Sequence, residues 1–354
     1  MGRSRRTSRP HAPLRLADVA ERAGVSLATA SRALSGREGV SERVAEHVRQ
    51  VARELGYVAN VYARTLAGGP TSTVGLIVHE IGDPYFSEIA SGVLRLAGTQ
   101  DLMVQICHTG RDPVQELRQI RTLIAHRVGV IIIASSGYTD PAMQAEAKAE
   151  LAAFQEAGGR VAVIGRHHLT ADAVLPDNRP AGQTIAEHVL SLGHRRIAVV
   201  AGPRRLTTVV DRLDGIAAAL APAGLSWAEV PVIETDFTRD GGVVAAERIL
   251  REHPDATAII ALNDAMAIGV LATLRAHGVA VPRQVSVAGF DDVAVAADLA
   301  PSLTTVRLPM TGMGEMALEM ALKPPAARPR RRSTGHELIV RASTGPAPGP
   351  ARAR

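Results

Sequence analysis

The sequence predicts two architectures in one chain: a small all-α helix-turn-helix module at the N-terminus, and a larger two-lobed α/β body of doubly wound parallel sheets. Three observations carry the prediction. Residues 16–35 hold two helix-period stretches hinged at Gly24. Residues 60–68 form a short helical stretch that starts at Asn60 and is stopped by Gly68-Gly69-Pro70. From Thr73 onward short apolar runs alternate with helix-length stretches, and the rhythm occurs twice. At 354 residues the chain is too long for one compact core and fits two or three domains.

In the first helix Leu16, Val19, Ala20 and Ala23 recur at i, i+3, i+4 and i+7, one stripe that must be buried. Gly24 supplies a left-handed stop that a Cβ would resist, and Ser26 offers a hydroxyl to cap the next helix. There Ala30, Ala33 and Leu34 face inward, Leu27 sits at the edge, and Ala28 and Arg32 point the opposite way with Thr29 and Ser31 on the flanks. Such a surface of small, hydroxyl and Arg side chains suits the major groove, where Arg forks onto guanine and methyl groups meet thymine. A third helix is expected after Ser41 as cap, with Val44, Val48, Val51, Ala52 and Leu55 inward and Gly56 ending it. The stretch from Asn60 to Gly68 is too short to be stable alone in water, since helix nucleation is costly below about 12 residues, so it needs a partner.

In the body, residues 74–78, 102–107, 130–134 and 161–164 read as strands of a sheet covered on both faces. A connector is expected over 166–174, after which residues 197–201, 230–233, 258–261 and 285–288 repeat the rhythm. Ligands of open parallel sheets sit beyond the carboxyl ends of strands. The loops there carry Asp83-Pro84-Tyr85-Phe86, Asp211-Arg212, Asp236-Phe237, Asn263-Asp264 and Phe290-Asp291-Asp292.

Leu16-Ala-Asp-Val-Ala, Ala23-Gly-Val-Ser26, Thr29-Ala-Ser-Arg32, Leu55-Gly-Tyr57 and Asn60 to Gly68 together resemble the headpiece and hinge of the lactose-repressor (LacI/GalR) family of bacterial transcription regulators, and the likeness continues along almost the whole chain. The resemblance implies a periplasmic-binding-protein-like body in which the chain crosses between lobes three times, near Val174, near Val306 and before a last strand over 336–341. It divides the chain into a basic disordered arm (1–13), a DNA-binding domain (14–59), a hinge helix and linker (60–70), a body (71–345; N-lobe about 71–174 and 307–330, C-lobe about 175–306 and 334–342) and a disordered tail (346–354). It assigns DNA contact to Leu16, Ser26, Leu27, Ala28, Thr29, Ser31, Arg32 and Ser35 in the headpiece and to Asn60, Ala63, Arg64 and Leu66 in the hinge, with Leu66 as a wedge between base steps. It maps effector contacts onto Tyr85, Phe86, Arg212, Phe237, Asn263 and Asp291.

Arg212, Asn263 and Asp291 offer donors and acceptors to a polyhydroxyl ring, and Phe86 and Phe237 can stack on its faces. Helix capping by Asn263 and Asp291 and an inter-lobe ion pair for Arg212 stand as alternatives. Gly165 stands where many family members carry an acid that helps hold a sugar, so a nucleobase-type effector stays open beside a sugar, as does a solute-binding receptor without a regulatory role. Leu27 and Ala28 replace larger polar readers, which leaves the operator sequence open.

Charge is unevenly distributed. Residues 1–69 carry 12 Arg against 6 acids, residues 323–354 carry 8 basic residues against Glu337, and the segment between has a net charge of −8. A basic head on an acidic body is the footprint of a protein that touches phosphates at one end. The run Arg328-Pro-Arg-Arg-Arg332 reads as a solvated, disordered loop, with extra nucleic-acid contact as the alternative. The lone Cys107 makes no internal disulfide, and the apolar run 128–134 is too short to span a bilayer. The Arg-rich start lacks the apolar stretch of a secretory signal, so a cytoplasmic homodimer without membrane contact is expected. No heptads follow Arg341 to build a coiled coil. An enzyme is not expected, since no dinucleotide, phosphate-loop or zinc-protease motif occurs. No cofactor and no metal are expected, and His167, His168, His188 and His194 read as solvated.

Overall fold

The computed structural model describes residues 14–35, 38–57 and 73–349. The chain forms two compact units, Met1–Thr71 and Ser72–Arg354. The hinge stretch 60–70, with Asn60, Ala63, Arg64 and Leu66, lies outside the described residues.

In the first unit α1 (Leu16–Arg22), α2 (Leu27–Ser35) and α3 (Glu42–Leu55) surround a core of small residues, among them Val19, Ala20, Ala30, Ala33, Val48 and Val51. Gly24 has φ +66°, the left-handed geometry that lets the chain turn within a few residues between α1 and α2. The Ser26 hydroxyl accepts the Thr29 N–H at 3.1 Å and so caps α2. Ser41 occupies the N-cap position of α3 in extended backbone, but its side chain makes no capping hydrogen bond, contrary to the sequence expectation. The helix ends at Gly56 (φ +69°).

The second unit holds two six-stranded sheets. Strands β1 (Thr73–Val78), β2 (Met103–His108), β3 (Val130–Ala134), β4 (Arg160–Ile164), β5 (Asp172–Leu175) and β11 (Arg331–Ser333) form the first, in the order β11-β5-β4-β3-β1-β2. Strands β6 (Ile197–Ala201), β7 (Val232–Glu234), β8 (Ala258–Ala261), β9 (Ser286–Asp291), β10 (Thr304–Arg307) and β12 (Glu337–Ile339) form the second, in the order β12-β10-β9-β8-β6-β7. Pairing is parallel throughout except between β10 and β12. Ile131, Ile132 and Ile133 on β3 are all fully buried, because helices cover both faces of a parallel sheet. The chain passes between the sheets after β5, after β10 and after β11.

Helices α4 (Pro84–Thr99), α5 (Pro113–Ala125), α6 (Ala145–Glu156), α7 (Asn178–Ser191), α8 (Thr207–Leu220), α9 (Arg239–Glu252), α10 (Asp264–Ala276) and α11 (Met310–Leu322) complete the layers. Three helix pairs are each closed by a reciprocal pair of glycines. A Cβ on Gly92 of α4 would lie 1.9 Å from the Thr311 carbonyl oxygen of α11, and one on Gly314 would lie 2.1 Å from that of Ile89. Gly182 and Gly215 do the same for α7 and α8, against the Arg212 and Arg179 carbonyls, and Gly242 and Gly269 for α9 and α10, against those of Met266 and Arg239. Backbone thus meets backbone across each pair, leaving no room for even a methyl group.

Several sequence expectations are corrected. The supposed connector over 166–174 contains β5, a four-residue strand whose register is set by β4 and β11 on either side. The Arg-rich run at 328–332 is largely exposed but not a disordered loop. Arg331 begins β11, and Arg330 pairs with Asp172 at 2.8 Å while its N–H donates to the same carboxylate at 2.7 Å. All three β11 side chains are exposed, so the strand is held by its backbone ladder and carries no apolar signal. The tail is ordered at least to residue 349: the Val287 N–H donates to the Ser343 carbonyl at 2.9 Å and the Ala347 N–H to that of Leu192 at 2.8 Å. The last strand is shorter than 336–341, at Glu337–Ile339.

Of the four histidines expected to be solvated, His194 is buried and His167 and His188 are half-buried with partners. His194 is fully buried, with Thr257, Ser286 and the Gly345 carbonyl each 3.0 Å from its ring nitrogens. His167 lies 2.8 Å from the Ser135 carbonyl, and His188 lies 3.0 Å from the Thr344 hydroxyl.

Candidate functional site

Two surfaces carry the residues singled out in the sequence. On the headpiece, the cap at Ser26 starts α2 so that Ala30 and Ala33 turn into the core, which leaves Leu27, Ala28 and Arg32 exposed on the opposite face. Thr29 and Ser31 are half-buried on the flanks, and the Thr29 hydroxyl shares a hydrogen bond of 2.8 Å with Ser26. Leu16 packs partly buried against the headpiece core, and Ser35 ends α2.

The second surface is a cleft in the body where loops from both sheets meet. Side chains from both lobes line it. Five of the six effector candidates line it: Tyr85 and Phe86 from the first turn of α4, Arg212 from α8, Phe237 from the loop after β7, and Asp291 from the end of β9. Asn263 does not line it. Asn263 caps α10, its Oδ1 accepting the Met266 N–H at 2.8 Å, while its buried Nδ2 has no acceptor among the described residues. The helix-cap alternative for Asn263 is therefore the arrangement observed.

Arg212 is 1% exposed and fully engaged. Its Nε donates to Asn178 Oδ1 at 2.9 Å, one terminal nitrogen to the Leu262 carbonyl and the other to Asp291 Oδ1 at 3.0 Å, and the guanidinium lies 4.5 Å over the Phe290 ring. Both members of this ion pair come from the second sheet's lobe, so it does not join the lobes. Arg166–Asp211 does join them, at 2.6 Å. Asp291 reaches Arg212 from a backbone at φ +104°, a conformation costly for a residue with a side chain, followed by Asp292 at φ +56°. Burial pushes the Asp291 carboxyl up, and the Arg212 guanidinium opposes that.

On the opposite wall Asp83 caps α4, accepting the Tyr85 N–H at 3.1 Å. Burial, with the nearby charge of Asp291 second, pushes its carboxyl up to about 6. His79, fully buried 5.9 Å edge-on from Phe86, is held well below its usual range by burial and then by Arg111, so it is neutral. Arg111 lies 3.7 Å from Asp83 and 5.6 Å over the ring of Phe237. Because Arg111 follows β2 and Phe237 follows β7, each at the edge of its sheet farthest from β11 and β12, this contact closes the side of the cleft away from the crossovers. Further ties join the lobes: Ser136 to Thr208 at 2.8 Å, the Thr207 N–H to the Gly137 carbonyl at 2.9 Å, and the Thr139 N–H to the Arg205 carbonyl at 2.8 Å.

Sequence reasoning missed His79, Arg111, Ser136 and Thr208. One signal was present for Arg111: Gly110-Arg111-Asp112-Pro113 repeats the strand-exit and Asp-Pro helix start of Gly82-Asp83-Pro84. Gly165, which also lines the cleft, has φ +109°, so any side chain there would be strained. Among the described residues no group of three or more His, Cys, Asp or Glu side chains is placed to hold a metal, and no helix is long and apolar enough to cross a membrane.

A helix-turn-helix headpiece followed in the same chain by a two-sheet body with a polar and aromatic cleft between its lobes defines the class of DNA-binding regulators with a solute-receptor-like body. The family models agree: "bacterial regulatory proteins, lacI family" matches residues 15–60, and "periplasmic binding protein-like domain" matches residues 186–344. The chain belongs to the lacI family of bacterial regulatory proteins, and it is a transcriptional regulator. It is 32% identical over 336 residues, 93% of this chain and 97% of the relative, to the HTH-type transcriptional regulator DegA of Bacillus subtilis. It is 35% identical over 308 residues to the HTH-type transcriptional regulator CelR of Thermobifida fusca, covering 84% of this chain and 88% of that one. The solved structure of a transcriptional regulator CelR–cellobiose complex superposes with a TM-score of 0.69 at 31% identity, covering 95% of this chain and 100% of that one.

Proposed function

We propose that the protein is a repressor that binds a pseudo-palindromic operator as a homodimer in the cytoplasm, and that a sugar or sugar derivative in the body cleft changes its affinity for that operator. The observation that carries the DNA half is the exposed face of α2, where Leu27, Ala28 and Arg32 stand clear of the core. Paired headpieces read half-sites about 34–36 Å apart, one turn of the duplex, and Arg32 supplies the forked donor for a base edge. The hinge residues Asn60, Ala63, Arg64 and Leu66 contact the minor groove between the half-sites, with Leu66 as wedge.

The effector half rests on the cleft's chemistry. Aromatic faces of Tyr85, Phe86 and Phe237 stand beside the Asp83, Asp291 and Arg111 side chains in one concavity between two lobes, the composition that holds a hydroxyl-bearing ring. The CelR structure carries cellobiose, which supports a saccharide as ligand class here. A ligand that binds one lobe arrangement better shifts that equilibrium, and the coupling to DNA is typically about 1–3 kcal/mol. The protein acts by binding and performs no chemistry.

The test is a genome-wide selection of duplexes at moderate ionic strength, with and without saccharides. An enriched palindromic site is expected, and Arg32→Ala should lose discrimination between that site and random duplex. Unchanged discrimination in a gel-shift series would remove α2 as the reading helix.

A further inference from the structure

The charges lining the cleft are matched one against another, Arg212 with Asp291 and Arg111 with Asp83, and the N-terminus of α4 is already capped. Arg212 has a protein acceptor for each of its three nitrogens. Arg111 faces Asp83 at 3.7 Å, lies over the Phe237 ring and is drawn further by Glu80 and Asp236. Arg205 lies outside the lining and is exposed, and its charge is felt at His79, Arg111 and Tyr138. In the lining two guanidiniums, Arg212 and Arg111, stand against two carboxylates, Asp291 and Asp83, while His79 is neutral. A helix N-terminus is otherwise a ready phosphate site. At α4, however, the Asp83 carboxylate already takes the Tyr85 N–H, and at α8 the Thr207 N–H is spent on the Gly137 carbonyl.

We infer that the cleft selects an uncharged, hydroxyl-bearing ligand and rejects phosphorylated or otherwise anionic ones, with Asp83 and Arg111 as the residues that set the preference; this rests on the reading of the cleft as the effector site. An anion entering here meets Asp83 and Asp291, and each cation of the lining already faces one of them; like charges at close range discriminate strongly. A neutral polyol meets the same carboxylates as acceptors for its hydroxyls and the three aromatic faces as stacking surfaces. Burial and Asp291 already make negative charge unwelcome at Asp83, whose carboxyl is pushed up to about 6.

The experiment is isothermal titration of the full chain with inorganic phosphate, comparing wild type with Asp83→Asn. Asn caps a helix as well as Asp, so the start of α4 is kept, and circular dichroism checks it. The substitution frees Arg111 and should tighten phosphate binding on the order of tenfold, the worth of one charge-assisted hydrogen bond. The gain should disappear in Asp83→Asn/Arg111→Gln. Equal phosphate affinity in wild type and Asp83→Asn would overturn the inference. So would stabilisation of the wild type against heat by ribose 5-phosphate in excess of that by ribose. Loss of operator selectivity would instead count against the regulatory reading, which the phosphate titration does not probe.

Discussion

Asp291→Ala tests the buried ion pair on which the rear wall of the cleft is built. The substitution leaves the Arg212 guanidinium, 1% exposed, with one terminal nitrogen unpaired and its charge without a counterion. Removing one partner of a buried pair typically costs about 3–5 kcal/mol. Two features place this case near the lower end. Arg212 keeps its hydrogen bonds to Asn178 and the Leu262 carbonyl, and burial already pushes the Asp291 carboxyl up, so its loss also relieves a desolvated charge. A loss of about 3 kcal/mol in a unit of this size lowers the midpoint of its thermal unfolding by roughly 6–12 °C. The assay is heat and urea unfolding of the full chain, followed by far-ultraviolet circular dichroism. Asp291→Ala/Arg212→Met, which removes both charges, should recover part of the loss, whereas additive costs or a single-variant loss under about 1 kcal/mol would refute the reasoning. Below its midpoint the single variant should still bind DNA but no longer respond to ligand.

Three further outcomes follow from the packing, the titrating groups and the family hinge. Gly215→Ala puts a methyl carbon 2.0 Å from the Arg179 carbonyl oxygen and should cost about 1–3 kcal/mol by forcing α7 from α8, whereas Gly98→Ala, with nothing within 4 Å, should be neutral or slightly stabilising; equal effects in urea titrations would discount the helix contact. Burial holds His167 down to about 4 and keeps His79 neutral, whereas the unfolded chain binds these protons from about 6.5 downward. Their stabilisation is present above pH 6.5 and is lost as pH falls toward 4, at most about 3 kcal/mol for His167. Asp83 acts with opposite sign, losing stability as pH rises from its ordinary 3.8 through about 6, so Asp83→Asn should make the acid decline steeper, and unfolding midpoints against pH read both effects. Leu66→Ala should reduce operator bending in a circular-permutation gel assay, and an unaltered bend would remove the wedge.

How much was legible depended on how local the cause was. The headpiece was read nearly residue by residue because Gly24, Ser26 and the Val19-Ala20-Ala23 stripe act over one or two helical turns. The apolar strands β1, β3, β6 and β8 announced themselves because double burial demands continuous Val, Ile and Ala. β5 and β11 did not. Four residues beginning with Asp172 and three exposed polar residues become strands only when a neighbouring edge offers its backbone groups. His194 looked like any polar residue after a helix, and only Thr257, Ser286 and Gly345, 63 to 151 positions away, make it a buried hub.

By itself the sequence determined the headpiece helices and the doubly buried strands, that one end carries positive charge, and that the strand exits bear Tyr85, Phe86, Arg212, Phe237 and Asp291. These properties follow from periodicity, composition and motifs, which act along the chain. Only the tertiary structure decided what those side chains face. Arg212 is spent on Asp291 inside one lobe, and Arg111 spans to Phe237 across the mouth. Such partnerships depend on the order of strands in each sheet and on glycine-tight helix pairs, and both are settled by packing between separate elements of the chain, not along any one of them.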